Sequence, residues 1–196
     1  MENENRSRGW YWRNYFPHYD GVEVTQMVTF HQADSLPIKL VERLESELEL
    51  LEKDMRESER RKRLEDFLDI GFGTPLFKNP LIAKVIQGAL LHFNEKRYRL
   101  HAWVVMPNHV HTLFTPMNSY TIDKILHSWK SYTSHETNKI LQRNGKIWFP
   151  ESFDRFIRNE EHFERVRSYI EYNPVKAKLC ANPADWPWSS ASYLMK

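Results

Sequence analysis

The chain carries one cysteine, Cys180, in 196 residues. An internal disulfide is excluded, and a lone thiol fits a reducing, cytoplasmic setting. No Cys-x-x-Cys pair occurs, which removes the common structural zinc frameworks. Glycine is scarce, at 6 residues, and no Gly-rich phosphate loop is present, so no nucleotide cofactor is expected. No apolar run approaches the roughly 18 residues of a membrane-spanning helix, and residues 1–8 have no signal-peptide core, so no membrane association is expected. Charge of one sign is also lacking. The 28 Lys and Arg against 26 Asp and Glu leave a net +2, too mild to announce a nucleic-acid partner by itself.

What is present is a heavily charged chain, 28% charged and 14% aromatic, of a length that suits one domain with an insertion. Residues 1–21 interleave Trp10, Tyr11, Trp12, Tyr15, Phe16 and Tyr19 with Arg6, Arg8, Arg13 and His18. That mixture serves either to cap a core or to stack on bases and touch phosphates. A main unit is expected over 22–190, with 191–196 as a tail. Val22 to His31 reads as a strand. Within 36–70, Pro37 opens a charged helical insertion whose Val41, Leu44, Leu48, Leu51 and Met55 form a 3-4 stripe. Such a stripe packs on the domain or on a second helix. Asn79-Pro80 reads as an N-cap and first turn, and Ile82, Val85, Ile86, Ala89, Leu90 and Phe93 as one helical face. Strands follow over Arg97 to Met106 and His109 to Thr115, then a helix over Thr121 to Leu141. An extended Phe153 to Ile157 precedes a last helix from Glu160, which Pro174 is expected to end. This order predicts an α+β fold with a mostly antiparallel sheet and helices on its faces.

Two places carry chemistry. In Met106-Pro107-Asn108-His109-Val110-His111, residues i and i+2 of a strand point the same way. Two imidazoles on one strand face can meet one metal ion. With 9 histidines in the chain, chance gives about 0.4 such triplets, so the spacing alone is weak. In the last helix, Tyr169 and Asn173 stand at i and i+4 on one face. The Asn173 amide oxygen can serve as a third ligand to a hard divalent ion. Tyr169, one turn back, points toward the same ion or is an ordinary helix-surface tyrosine. A phenol beside such an ion can attack a phosphodiester as a nucleophile; Tyr172 faces elsewhere and is the fallback for that role.

These segments occur in order with Tyr98-x-x-His101-Ala102-Trp103-Val104-Val105, His127-Ser128-Trp129-Lys130-Ser131, Phe153-Asp154-Arg155-Phe156-Ile157-Arg158, Tyr169-Ile170-Glu171-Tyr172-Asn173-Pro174-Val175-Lys176-Ala177 and Trp186-Pro187-Trp188-Ser189-Ser190. The set resembles the REP-associated tyrosine transposases, in the insertion-sequence 200-like branch of the HUH single-strand DNA endonucleases. The resemblance runs from about Val24 to Ser190. It implies a ferredoxin-like fold, a Mg²⁺ or Mn²⁺ ion held by His109, His111 and Asn173, and Tyr169 as nucleophile. The implied substrate is single-stranded DNA with imperfect palindromic hairpins, cleaved and rejoined through a 5′-phosphotyrosine. The implied assembly is a monomer or a homodimer. Lys130, Arg155, Arg158 and Lys176 lie inside the motifs and are the expected phosphate contacts, with Arg13 and Trp12 as base or phosphate contacts from the N-terminal segment. Trp148 is followed by Phe149-Pro150 where the family often has Trp-Gln.

Two other classes compete. A non-catalytic hairpin-DNA-binding protein derived from such a transposase would keep the fold and bind without nicking. A metal hydrolase unrelated to DNA would need a base at a spacing such as His-Glu-x-x-His, which is lacking.

Overall fold

The computed structural model describes residues 9–13, 16–21 and 23–193. In chain order the elements are β1 (Gly9–Arg13), β2 (Phe16–Asp20), β3 (Gln26–His31), α1 (Ile38–Leu48), α2 (Lys53–Ile70), α3 (Pro80–His92), β4 (Tyr98–Val105), β5 (His109–Pro116), α4 (Ile122–Ile140), β6 (Phe153–Phe156), α5 (Glu160–Lys176) and α6 (Ser190–Tyr193). The main sheet runs β4-β5-β3-β6 with every pairing antiparallel. With α3 and α4 as its two crossover helices, this is the ferredoxin-like α+β arrangement. Among the described residues no helix is long and apolar enough to cross a membrane.

Alternation along the strands decides what each face holds. Val28 and Phe30 of β3, Trp103 and Val105 of β4, and Val110 and Phe114 of β5 face one way. They pack with Ile82, Ile86, Ala89 and Leu90 of α3 and Ile125 and Trp129 of α4. Met27, Ala102, Val104 and Leu113 face the other way, against Val166 and Ile170 of α5. His109 and His111 share that second parity, so the strand delivers both imidazoles beneath α5. The cap of α3 is as expected: the Asn79 side chain accepts from Leu81 N at 3.0 Å, with Pro80 in the first turn.

Three expectations change. The helical stretch after Pro37 is two helices, broken between Leu48 and Lys53, so the stripe does not run through. Leu44 and Leu48 of α1 pack on Leu64 and Leu68 of α2 in a satellite core with Phe153, while Met55 is 57% exposed. Strand β3 begins at Gln26, not Val22, and Val22 lies outside the described residues. Finally, α5 continues past Pro174 to Lys176. A proline forgoes its own backbone donor and crowds the carbonyl one turn back, yet the bonds beyond it still form: Ala177 N donates to Asn173 O at 2.9 Å. Asn173 is therefore in a formed, buried turn rather than a frayed one.

Candidate active site

The site assembles from β5, α5 and α2. The Nε2 atoms of His109 and His111 stand 3.0 Å apart. The neighbour in sequence sets the His109 tautomer. Asn108 spends its amide hydrogens on Leu68 O and Phe72 O, at 3.2 and 3.3 Å, so its Oδ1 is left to accept from His109 Nδ1 at 2.7 Å. Nδ1 carries the proton, and Nε2 presents a lone pair to the site. His111 Nδ1 is bonded to Thr29 Oγ1 at 2.7 Å, which leaves its Nε2 facing the same point. Burial, followed by the charges of His111, His31 and Lys176, holds His109 well below the usual histidine range. Burial and then Lys176 lower His111 to about 3. Both imidazoles are thus neutral at neutral pH, as metal ligands must be.

Asn173 reaches the pair from α5, with its Nδ2 3.3 Å from His111 Nε2. Its Oδ1 is buried without a hydrogen-bond partner, and so is Asp69 Oδ1 from α2, which lies 3.9 Å from His109 Nε2. The His109 lone pair and the orphaned buried oxygens beside it cost free energy together unless something positive satisfies them. Among the described residues, no three His, Cys, Asp or Glu side chains form a ligand cluster. The Asn173 amide oxygen is the further donor the pocket offers a cation beside the two imidazoles. Mixed imidazole and amide-oxygen donors suit Mn²⁺, or Mg²⁺ with several waters retained. The residues present fit such an ion.

Tyr169 stands one turn before Asn173, its ring 5.6 Å from that of His111. Its hydroxyl donates to Glu65 Oε2 of α2 at 3.1 Å. Burial, then the carboxylates of Glu65, Asp69 and Asp66, raise the phenol above its ordinary value. Burial also raises Glu65, against the lowering effect of the Tyr169 hydrogen bond. Tyr172 points away from this cluster and is 60% exposed.

Of the expected phosphate contacts, Arg155 and Arg158 line a trench of about 620 Å³, with Arg61 and Lys62 of α2, Arg165 and His162 of α5, and Glu65 and Tyr169 at one wall. Burial and the neighbouring cations Arg61 and Arg158 depress Arg155 below its usual value. Such crowding of like charge is what a polyanion would relieve. Lys176 lies beside the Tyr169 ring, but its ammonium is held by Asp69 Oδ2 at 2.8 Å and Asp66 Oδ1 at 3.5 Å. Lys130 makes contacts within the protein. Its three donors meet the carbonyls of Phe149, Pro150 and Glu151 at 3.0, 3.1 and 3.0 Å, which straps that loop to α4. The side chains of Trp12 and Arg13 lie outside the described residues.

The family follows from this set of strand, helix and side chains read against known sequences. Residues 75–173, half of the chain, match the model of the IS200-like transposases. The chain belongs to the IS200-like transposase family. The matched span holds His109, His111, Tyr169 and Asn173. It begins after α2, so Glu65 and Asp69 fall outside it. A REP-associated tyrosine transposase of Escherichia coli (strain K12) is 29% identical over 96 residues, which is 49% of this chain and 56% of that protein. The match thus spans just over half the length of that curated relative. A solved structure of a REP-associated tyrosine transposase bound to a REP hairpin superposes with a TM-score of 0.59 at 17% identity, covering 92% of this chain and 84% of that one. The two share a fold.

Two contributors escaped sequence reasoning. Glu65 and Asp69 have no spacing that links them to the motifs; Glu65 and Tyr169 are 104 positions apart. His162 was not singled out either. Its Nδ1 accepts from Arg158 N at 3.2 Å, so its Nε2 carries the proton, and that atom is buried without a partner at the trench.

Proposed function

We propose that this IS200-like transposase cleaves and rejoins single-stranded DNA at hairpin-forming repeats, with Tyr169 as nucleophile and His109, His111 and Asn173 holding a divalent metal. The observation that supports the reading is the convergence of two neutral imidazole nitrogens, an orphaned amide oxygen and a phenol in one buried pocket beside a basic trench. When bound, the ion supplies Lewis-acid polarisation of the phosphoryl group.

The chain's own residues do the rest. Arg155 and Arg158 hold the strand's phosphates along the trench. The Tyr169 oxygen attacks phosphorus, the bond to the 3′-oxygen breaks, and the 5′ end stays on the protein as a phosphotyrosine. One phosphodiester linkage replaces another, so the bond energy is kept and a 3′-hydroxyl can reverse the step without ATP. Hairpin DNA as substrate rests on the REP hairpin bound by the structural relative, and reaction in the cytoplasm fits a DNA substrate and a reduced Cys180.

Incubation with hairpin-bearing single-stranded oligonucleotides and Mn²⁺ should give a covalent adduct in denaturing gels. Tyr169→Phe should abolish it. Adducts that persist in the Phe variant would reassign the nucleophile. Tight hairpin binding by the wild type with no adduct would support the non-catalytic reading instead.

A further inference from the structure

We propose that Glu65, on the helical insertion, is the general base that takes the Tyr169 proton during cleavage and the acid that returns it during rejoining. This rests on Tyr169 being the nucleophile. The phenol hydrogen is already directed at Glu65 Oε2 across 3.1 Å, inside the range over which a base takes a proton directly. Of the other nearby carboxylates, Asp66 and Asp69 Oδ2 hold Lys176, and Asp69 Oδ1 lies on the His109 side, 3.9 Å from its Nε2; the phenol hydrogen goes to neither. His111 meets Tyr169 through its ring, and its Nε2 turns to His109 and Asn173. Glu65 and Tyr169 share the wall of the trench that carries Arg155, so a phosphate reaching the phenol meets the base at the same place.

The position of Glu65 is fixed from several sides. Leu64 and Leu68, its neighbours on α2, are buried against Leu44 and Leu48 of α1. One turn further on, Leu68 O accepts from Asn108, the residue that orients His109. Lys176 ties Asp69 to α5. The insertion is thereby locked to both halves of the site, and Glu65 is held where a proton acceptor is needed rather than on a free surface.

The step balances without an outside oxidant or reductant. The Tyr169 O–H bond breaks and the proton passes to Glu65. The tyrosine oxygen bonds to phosphorus, and the phosphorus–O3′ bond breaks with its electron pair on O3′, which takes a proton from water. On rejoining, a 3′-hydroxyl gives its proton back to solvent as its oxygen bonds to phosphorus, the phosphorus–tyrosine oxygen bond breaks, and Glu65 returns the proton to the tyrosine oxygen. One residue serves both directions, as a reversible exchange requires.

The test is single-turnover adduct formation on a hairpin oligonucleotide with Mn²⁺. Glu65→Gln keeps the size and an acceptor for the phenol but cannot hold the proton. It should slow adduct formation by about 10²–10⁴-fold, with Mn²⁺ affinity unchanged and hairpin affinity and melting temperature no lower than in the wild type. Glu65→Ala should recover rate in proportion to added formate, with no recovery from chloride. A Gln variant as fast as wild type would overturn the assignment. A faster one would also overturn it and mark Glu65 as a restraint on the tyrosine. Loss of Mn²⁺ or hairpin affinity in step with rate would reduce Glu65 to a structural role. If Tyr169→Phe still forms adducts, or the wild type forms none, the nucleophile itself is misassigned and this inference falls with it; an intact Tyr169 dependence isolates the failure to Glu65.

Discussion

Asn108 faces no substrate, yet its amide decides which nitrogen of His109 carries the proton. It does so because Leu68 and Phe72 take both of its hydrogens and leave only an oxygen for the imidazole. Partners of this kind typically set metal affinity by about 10–100-fold. Asn108→Ala should weaken Mn²⁺ binding by about that factor in calorimetric titration, while Tyr169 stays in place. Unchanged affinity would mean that His109 is oriented by its strand alone. Asn173 shows how burial completes a residue. A half-turn of its amide exchanges oxygen and nitrogen at the same place, so the side chain offers a donor to His111 or an oxygen to an ion without moving its backbone.

At the level of elements, α5 is the most demanding piece. It must bury Val166 and Ile170 on the sheet, present Tyr169 and Asn173 to β5, and send Arg165 and His162 to the trench. The trench predicts a salt response. Each phosphate contact on a single strand contributes about 0.7 to the slope of log affinity against log salt. Arg155→Ala and Arg158→Ala should each lower that slope by about this amount and weaken all sequences alike, as read by fluorescence anisotropy. Lys130→Ala should leave the slope unchanged, because its ammonium is committed to three carbonyls.

Much of this layout was legible from the chain. The alternation His109-Val110-His111-Thr112 fixes which imidazoles share a face, and the i, i+4 spacing fixes Tyr169 with Asn173. Local rules failed where the deciding contact was distant. Pro174 reads as a helix end, but the Ala177 bond to Asn173 O carries the helix past it. The stripe from Val41 to Met55 reads as one helix, but Leu44 and Leu48 fold back on Leu64 and Leu68. Glu65 and Asp69 are two among many acids on a charged segment. Only the packing of α2 against the sheet distinguishes them from solvated neighbours.

Across the whole molecule, the face beneath α5 is unusually rich in buried imidazole, and stability should record it. His31 pairs with His109 in register across β3 and β5 and is stacked on Phe149 and Phe153. Burial, against a backbone hydrogen bond to Gln32, lowers it from the ordinary 6.5 to about 3. The unfolded chain takes up this proton below pH 6.5 and the folded one does not until about pH 3. The stability present above pH 6.5 is therefore lost as pH falls through that window, at up to about 1.4 kcal/mol per pH unit. Glu65 and Asp69, raised by burial, act with the opposite sign, so the contribution of His31 is read as a difference. The melting temperature of His31→Asn should fall less steeply between pH 6.5 and 4 than that of the wild type. Parallel profiles would remove His31 as a source of acid sensitivity.

The aromatic C-terminal segment has a consequence for how copies of this chain meet. Trp188 O accepts from Val105 N at 2.8 Å, Trp186 Nε1 donates to Val105 O at 3.0 Å, and Ser190 Oγ accepts from Trp103 N at 3.2 Å. These contacts occupy the outer rim of β4, the strand at one end of the sheet. A second chain cannot extend the sheet there by adding a strand of its own without first peeling this segment away. Residues 103–105 of β4 are thereby closed to strand addition by a neighbouring copy.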